Sequence, residues 1–554
     1  MADNGSKKNS FIMQAGILAA AGIISRIIGL LYRSPLQRII GDLGLGYYHT
    51  AYNYYTIILL ISSYSIPSAI SKVIAQKLAL KEFRNAHRLF QCALVYVLVV
   101  GGAASLFLFF GAGLLVDKET VPVLRIFAQT IFVYGILGVL RGYFQAHKSM
   151  VQTSISQILE QIANGVISVA GAYLLIRSVM GTLDVPATEA EQVVRATAGA
   201  SGSALGTGVG VAVALLFMSG MYGLNRGLIM RRVQRDRHRE VDSCGAMIRT
   251  ITSVVTPFIL STAIYNLSGA VNNRIYTKWY LGIKELGATD IFSRWGIFNG
   301  HALTISNIPI AFATAMASAV IPSVAQLVAA REMGEARAKI GLAVKTTMII
   351  SIPCAVGLLV LARPITCLLF SYTTEEAEDL ATRLLMALAL SVIFYALSTL
   401  NSSILQGAGR VNTPILNAAI ALTVQTGLAM GLLYGTKLDL YSIAIANTAY
   451  SFIMCMLNQR AVRRAVGYRQ EIVRSFLIPG LAAAFMGAAA WAVYEGLLLL
   501  TKSPRISVIP AILIGAGVYF VMLILMRGVT EKELRSFPKG NLLVKVAKKC
   551  RLIR

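Results

Sequence analysis

Acidic side chains are scarce. Asp and Glu together number 25 in 554 residues, and the four charged types make up only 14% of the chain. Soluble domains run near a quarter charged, so a water-soluble globular protein is excluded. No stretch is long and polar enough to form a separate soluble domain. Catalytic spacings are missing too: there is no HExxH, no GxSxG and no Walker loop, and no carboxylates cluster in an apolar run. An enzyme is not expected. Without a nucleotide site, any transport would be passive, ion-coupled or driven by the membrane potential. The six cysteines (Cys92, Cys244, Cys354, Cys367, Cys455 and Cys550) are scattered, with no CxxC and no histidine at ligand spacing. They predict neither a disulfide framework nor a metal site, and no cofactor is expected.

What is present is apolar. Hydrophobic residues make up 56% of the chain and the mean hydropathy is +0.67. Apolar runs of about 20 residues, each able to cross a hydrocarbon core, recur along the whole length. About fourteen spans are expected, near 11–32, 47–70, 90–116, 122–146, 152–177, 198–223, 248–272, 297–325, 341–370, 382–406, 414–435, 438–459, 475–500 and 506–527. The first apolar run outlasts a signal-peptide core and reads as a retained span. The net charge of +26 does not point to nucleic acid, because the basic residues gather in alternate loops. Arg226, Arg231, Arg232 and Arg235 occupy one such loop; Glu375, Glu376 and Glu378 occupy an intervening one. This positive-inside pattern places both termini in the cytoplasm.

The two halves echo each other. "YGILGVLRGYFQAHKSMVQTS" from Tyr134 aligns without a gap to "YALSTLNSSILQGAGRVNTPI" from Tyr395, and "SIPSAISKVIAQ" from Ser65 resembles "VIPSVAQLVAAR" from Val320. The expected organisation is an N-terminal six-helix lobe at 1–235 and a second at 245–467. Two extra helices at 475–527 and a basic cytoplasmic tail at 528–554 follow. Six spans per lobe give a parallel repeat, with a pathway between the halves. In the sixth span Gly202, Gly206 and Gly210 share one helix face, which suits close helix packing.

Polar groups at depth are the candidate site residues. Arg26 lies in the first span, about 22 Å along the helix from Phe11 at 1.5 Å per residue. Arg33 is two turns further on the same face, and Ser25 adjoins Arg26. Arginine is costly in hydrocarbon; it is always charged and forked for bidentate phosphate contacts. The stripe reads either as snorkelling to the outer interface or as a cavity for an anionic ligand. Glu160, inside the fifth span, is a proton or sodium site, or an ion-pair partner for Arg141 or Arg26. Asn272, Asn273 and Arg274 sit near the outer end of the seventh span. Lys72 closes the second span, and His301 and Asn307 enter the eighth; these are further polar candidates.

"SRIIGLLYR" in the first span, two six-helix halves with two added helices, and "FYALSTLNSSILQGAGRVNTP" resemble the lipid-flippase branch of the multidrug/oligosaccharidyl-lipid/polysaccharide exporter superfamily. Within it the chain resembles the stage V sporulation protein B and MurJ group of peptidoglycan-precursor flippases. The ending "FPKGNLLVKVAKKCR" is similar to the sporulation-type members. The resemblance covers essentially the whole chain. It implies an all-α, MATE-like pair of bundles in the bacterial plasma membrane, alternating between inward-open and outward-open states. It also implies cavity arginines for the pyrophosphate of lipid II, and a groove between the last two helices for the lipid tail. Ser25, Arg26 and Gly29 match the family's first-span motif. The family expects arginine where this chain has Tyr32, with Arg33 one place later. It also expects a basic residue early in the eighth span, where His301 and Asn307 stand nearest. The implied partners are a lipid-linked glycan precursor, membrane lipids and other cell-wall synthesis proteins, with one chain holding a complete pathway. A flippase for another lipid-linked glycan, a cation antiporter of the same superfamily and a non-transporting envelope scaffold are the alternatives.

Overall fold

The computed structural model describes residues 21–531, apart from 23, 65, 148, 183, 185–187, 237–241, 284–286 and 373. Half of the first span and most of the basic tail therefore lie outside the described residues. In hydrocarbon no water satisfies backbone N–H and C=O groups, so an apolar chain closes those bonds within helices. Among the described residues every regular element is helical. Residues 24–31 are helical. They are followed by α1 (Arg33–Leu59), α2 (Ile66–Ala79), α3 (Phe83–Leu115), α4 (Val121–Ala146), α5 (Met150–Met180) and α6 (Glu189–Gln234). Next come α7 (Cys244–Ile283), α8 (Ala288–Gly296), α9 (Thr304–Ala329), α10 (Met333–Val360), α11 (Ala362–Leu369) and α12 (Glu375–Gly407). The chain ends with α13 (Asn412–Gly435), α14 (Leu440–Val466), α15 (Ile478–Thr501) and α16 (Pro504–Leu525). Among the described residues ten helices are long and apolar enough to cross a membrane. The expected spans at 47–70, 248–272 and 297–325 fall on helices outside those ten.

Structural details repeat between the halves. The α2–α3 corner turns on Lys81 (φ 61°), and the α9–α10 corner on Arg331 (φ 60°). In one corner the Glu82 amide donates to the Lys77 carbonyl and the Ala86 amide to that of Glu82; in the other, Glu332 donates to Leu327 and Ala336 to Glu332. The second and eighth spans each contain a π-helical segment, Leu60–Tyr64 and Ile297–Leu303. Such widened turns recur at functional sites.

The chain forms two compact units, Met1–Gly300 and His301–Arg554. In the first, α6 lies along α5, and Gly202, Gly206 and Gly210 make that approach possible. A Cβ at Gly210 would lie 2.6 Å from the Glu160 carbonyl oxygen, and one at Gly202 would strike the backbone of Gly171 and Ala172. The lobes read from the repeat divide near residue 240, whereas packing groups α7 and α8 with the first unit: α7 contacts α1, α2 and α3, and α8 contacts α1. The second unit buries Val344, Met348, Leu400, Ile404, Cys455 and Leu523 in one core, with α15 and α16 packed onto its side.

One expectation is overturned. Cys92 on α3 and Cys244, the first residue of α7, form a disulfide, with Cα atoms 5.9 Å apart. The two are 152 residues apart in sequence, and only the packing of α7 on α3 brings them together. Cys354, Cys367 and Cys455 are free thiols, and Cys550 lies outside the described residues.

Candidate functional site: first-span arginines beside a tyrosine ladder

The segment carrying Ser25, Arg26 and Arg33 runs along α5. A Cβ at Gly29 would lie 3.7 Å from the Gln161 amide oxygen, and one at Gly165 would lie 3.1–3.3 Å from Tyr32. Tyr32, the departure from the family motif, thus packs over a glycine of α5. Arg26 is exposed and Arg33 half-buried. Arg33 acts electrostatically on the hydroxyls of Tyr48 and Tyr52. Tyr48, Tyr52 and Tyr55 lie on α1 at helical spacing, and their rings gather around Phe127 at 4.8–5.7 Å between centroids. The sequence reading passed over this ladder. Its signal is the run "YYHTAYNYY" from Tyr47, too polar and too aromatic for an ordinary lipid-facing span.

Glu160 is held by Arg141. Arg141 Nη2 lies 2.7 Å from Glu160 Oε2, and Arg141 Nε donates to Ser156 Oγ at 2.9 Å. Both side chains are largely buried, at 6% and 15% exposure. Arg141, one of the two arginines expected as partners, is at bonding distance. The Ser156 hydroxyl in turn donates a hydrogen bond to the Thr153 carbonyl at 2.7 Å, so Arg141 is charge-paired to Glu160 and hydrogen-bonded to an oriented serine.

Arg274 works at a helix end. Its Nη1 donates to the carbonyl of Leu115, the last residue of α3, at 3.2 Å, where a cation complements the negative end of the helix dipole. Its neighbour Asn273 donates to Thr50 Oγ1 on α1 at 3.0 Å, and the buried Asn272 to Ser268 Oγ at 3.5 Å. Lys72 is exposed on α2. In the first unit, then, Arg33 and the Arg141–Glu160 pair share one neighbourhood around the tyrosines, while Arg274 and Asn273 tie α7 to α3 and α1. His301 and Asn307 belong to the second unit. His301 is fully buried, stacked on Phe370 at 4.1 Å and edge-on to Tyr372 at 5.3 Å; Asn307 is exposed.

The second unit also holds a cavity of about 610 Å³ between α9, α10, α15 and α16. Its walls include Pro309, Pro353, Met486, Gly515 and Phe520, and Tyr519 turns its hydroxyl away to the Ile349 carbonyl at 2.7 Å. Such a surface suits a hydrocarbon chain and offers nothing to a charge. Among the described residues no cluster of His, Cys, Asp and Glu could hold a metal ion.

The family pattern described as Lipid II flippase MurJ matches residues 60–507. The chain belongs to that family. It is 23% identical over 495 residues to Lipid II flippase MurJ of Bacillus subtilis (strain 168), covering 85% of this chain and 86% of the relative. It is 22% identical over 551 residues to Stage V sporulation protein B of the same organism, covering 97% and 100%. Among solved structures, the inward closed conformation of Lipid II flippase MurJ aligns with a TM-score of 0.63 at 15% identity, over 91% of this chain and 97% of that one. An outward-facing multidrug resistance MATE transporter of the MOP superfamily aligns with 0.59 at 15% identity, over 82% and 95%. The fold is that of MurJ and MATE transporters, and the chain is a multi-pass membrane protein of a transporter family.

Proposed function

We propose that this chain carries a lipid-linked cell-wall precursor, with lipid II as the first candidate, from the inner to the outer leaflet by alternating access. The observation that carries the reading is the arginine stripe, Arg26 and Arg33, set beside α5 and the tyrosine ladder in a protein of a lipid II flippase family. A pyrophosphate entering a low-dielectric region needs fixed positive charge, and guanidinium groups supply it without a proton step. Ser25 adjoins the stripe and Arg274 adds charge on α7. The apolar cavity beside α15 and α16 suits the polyprenyl tail. The two lobes at 1–235 and 245–467 would be the moving parts, working in the plasma membrane with both termini cytoplasmic. An ion gradient or the membrane potential would drive the cycle, and a single chain would suffice. The antiporter alternative asks for an available carboxylate, and Glu160 on α5 is engaged by Arg141.

The test uses cells depleted of their own peptidoglycan-precursor flippase. This chain, and its Arg26→Ala variant at matched membrane abundance, are expressed, and outward lipid II is measured with a non-permeant probe. Restored exposure that disappears in the variant is expected. No exposure from well-inserted wild-type protein would move the assignment to another lipid-linked glycan. Full activity of Arg26→Ala would sink the arginine site.

A further inference from the structure

A second cavity, of about 190 Å³, lies in the first unit where α4 ends and α5 and the last turns of α6 meet. Its walls include Tyr143, His147, Gln152, Asn225, Leu228 and Arg232, and no Asp or Glu lines it. Among the described residues nearby, Glu82 accepts from Lys77 and Asn85, each at 2.9 Å, and Asp236 accepts from the Arg84 amide at 2.8 Å. Several polar groups of the wall are partly committed in ways that leave donors. Gln152 accepts the Ser149 hydroxyl through Oε1, which leaves its amide N–H groups. His147 Nδ1 is held 2.9 Å from the Tyr143 carbonyl. Among the described residues no carboxylate lies at ion-pair distance from Arg232.

The surroundings indicate depth in the bilayer. Leu224 and Leu228 are 81% and 61% exposed. With Arg232 they follow at intervals of four on α6, so the three share one face. That face passes from hydrocarbon-facing leucines to a cation, the order met on crossing from acyl chains to headgroups. The alternate-loop charge pattern puts this end of α6 on the cytoplasmic side. The volume falls below the range of about 300–1,000 Å³ usual for drug-sized ligands. It suits a phosphodiester and not a glycan.

We infer that this cavity is a site for the phosphate of an anionic inner-leaflet phospholipid, with Arg232 as the countercharge, Gln152 as a neutral donor and Leu224 and Leu228 along the acyl chains. The site is separate from the arginine stripe and does not depend on what the protein transports. It ties the α4–α5 and α6 ends to the composition of the cytoplasmic leaflet, where each basic residue near anionic lipid contributes about 1 kcal/mol.

The experiment is native mass spectrometry of the full chain, purified from membranes and offered phosphatidylglycerol or phosphatidylcholine at equal concentration. The wild type should retain phosphatidylglycerol preferentially. Arg232→Gln should lose that preference at least about fivefold, while Arg235→Gln, an exposed neighbour outside the cavity, should keep it. Equal retention of the two lipids overturns the inference, as does equal loss in both variants, which would mean undirected surface charge. A third arm adds inorganic phosphate without lipid. Arg232-dependent phosphate binding with no lipid preference would overturn the lipid source.

Discussion

Arg337, in the first turns of α10, donates from Nε to the carbonyl of Val466, the last residue of α14, at 2.8 Å. Its counterpart in the other half, Arg84 on α3, donates to Val233, next to last in α6, at 3.4 Å. In each half an arginine that opens the third helix caps the sixth, where unsatisfied carbonyls and the helix dipole favour a cation. Gly467 follows Val466 with φ 72°, and a Cβ there would come within 2.7 Å of Arg337 Nη2.

Gly467→Ala should therefore act through Arg337. Its cost should be roughly 1–2 kcal/mol, from the left-handed backbone and the displaced guanidinium. In an Arg337→Ala background the guanidinium part vanishes, so the double variant should be more stable than additivity gives by at least about 0.5 kcal/mol. Unfolding in detergent measures this, and strictly additive costs would refute the coupling.

Glu160 and Arg141 make a second pair whose removal has a defined sign. Glu160→Gln leaves a buried guanidinium without its countercharge, a change that costs about 3–5 kcal/mol for buried pairs. Replacing both residues by methionine should recover most of that loss. Transport per folded molecule should stay constant in Glu160→Gln. A fully folded Glu160→Gln protein that no longer transports would reassign the carboxylate as an ion site.

Gly202→Val should separate α6 from α5. The added carbons meet the Gly171 and Ala172 backbone, which cannot swing aside as a side chain can. Overpacking of this kind costs about 1–3 kcal/mol. Gly220→Val on the same helix, where nothing lies within 4 Å of a Cβ, is the control. A comparable loss of folded protein from both would show that helix propensity, not the contact, is responsible.

Asp42 lies between the first two spans and accepts from Gln37 Nε2 at 3.1 Å. Burial pushes its carboxyl up to about 6, against the lowering effect of that hydrogen bond. A raised acid favours the fold when protonated. Its contribution is complete below about pH 4 and is lost as pH rises through about 6. Asp42→Asn should exceed the wild type in stability at pH 7.5 by on the order of 2 kcal/mol and converge with it near pH 4. Melting temperatures across that range decide the point. A variant less stable than wild type at pH 7.5 would mean that the ionised carboxylate gains more from its hydrogen-bond partners than burial costs it.

Much of this architecture can be read from the residues, because a bilayer leaves few choices. Apolar runs such as 122–146 and 414–435 became α4 and α13 within a residue or two. Similar corners stand at Lys81 and Arg331, although the gapless echo between Ser65 and Val320 sets Arg331 opposite Gln76. Sites were less legible. Arg26 and Glu160 stand out by their cost in hydrocarbon, but which arginine pairs with Glu160 depends on how α4 meets α5. The tyrosine ladder was overlooked because tyrosines at helical spacing look like core, and it is their nearness to Arg33 that gives them interest. Cys92 and Cys244 escaped because their meeting is a product of tertiary packing.

The attachment of α7 has a consequence for how such a chain can be divided. Asp236 and Asp242 flank the short connector between α6 and α7, and both are fastened to the α2–α3 corner, the first by the Arg84 amide and the second by Lys77 and Asn85. A break in the connector would leave both new ends moored, with Cys244 still bonded to Cys92. The boundary expected from the sequence echo and the boundary between the two compact units are thus in different places: one precedes α7, the other follows α8. A split pair joined at the first would carry the start of its second fragment as a graft on the first.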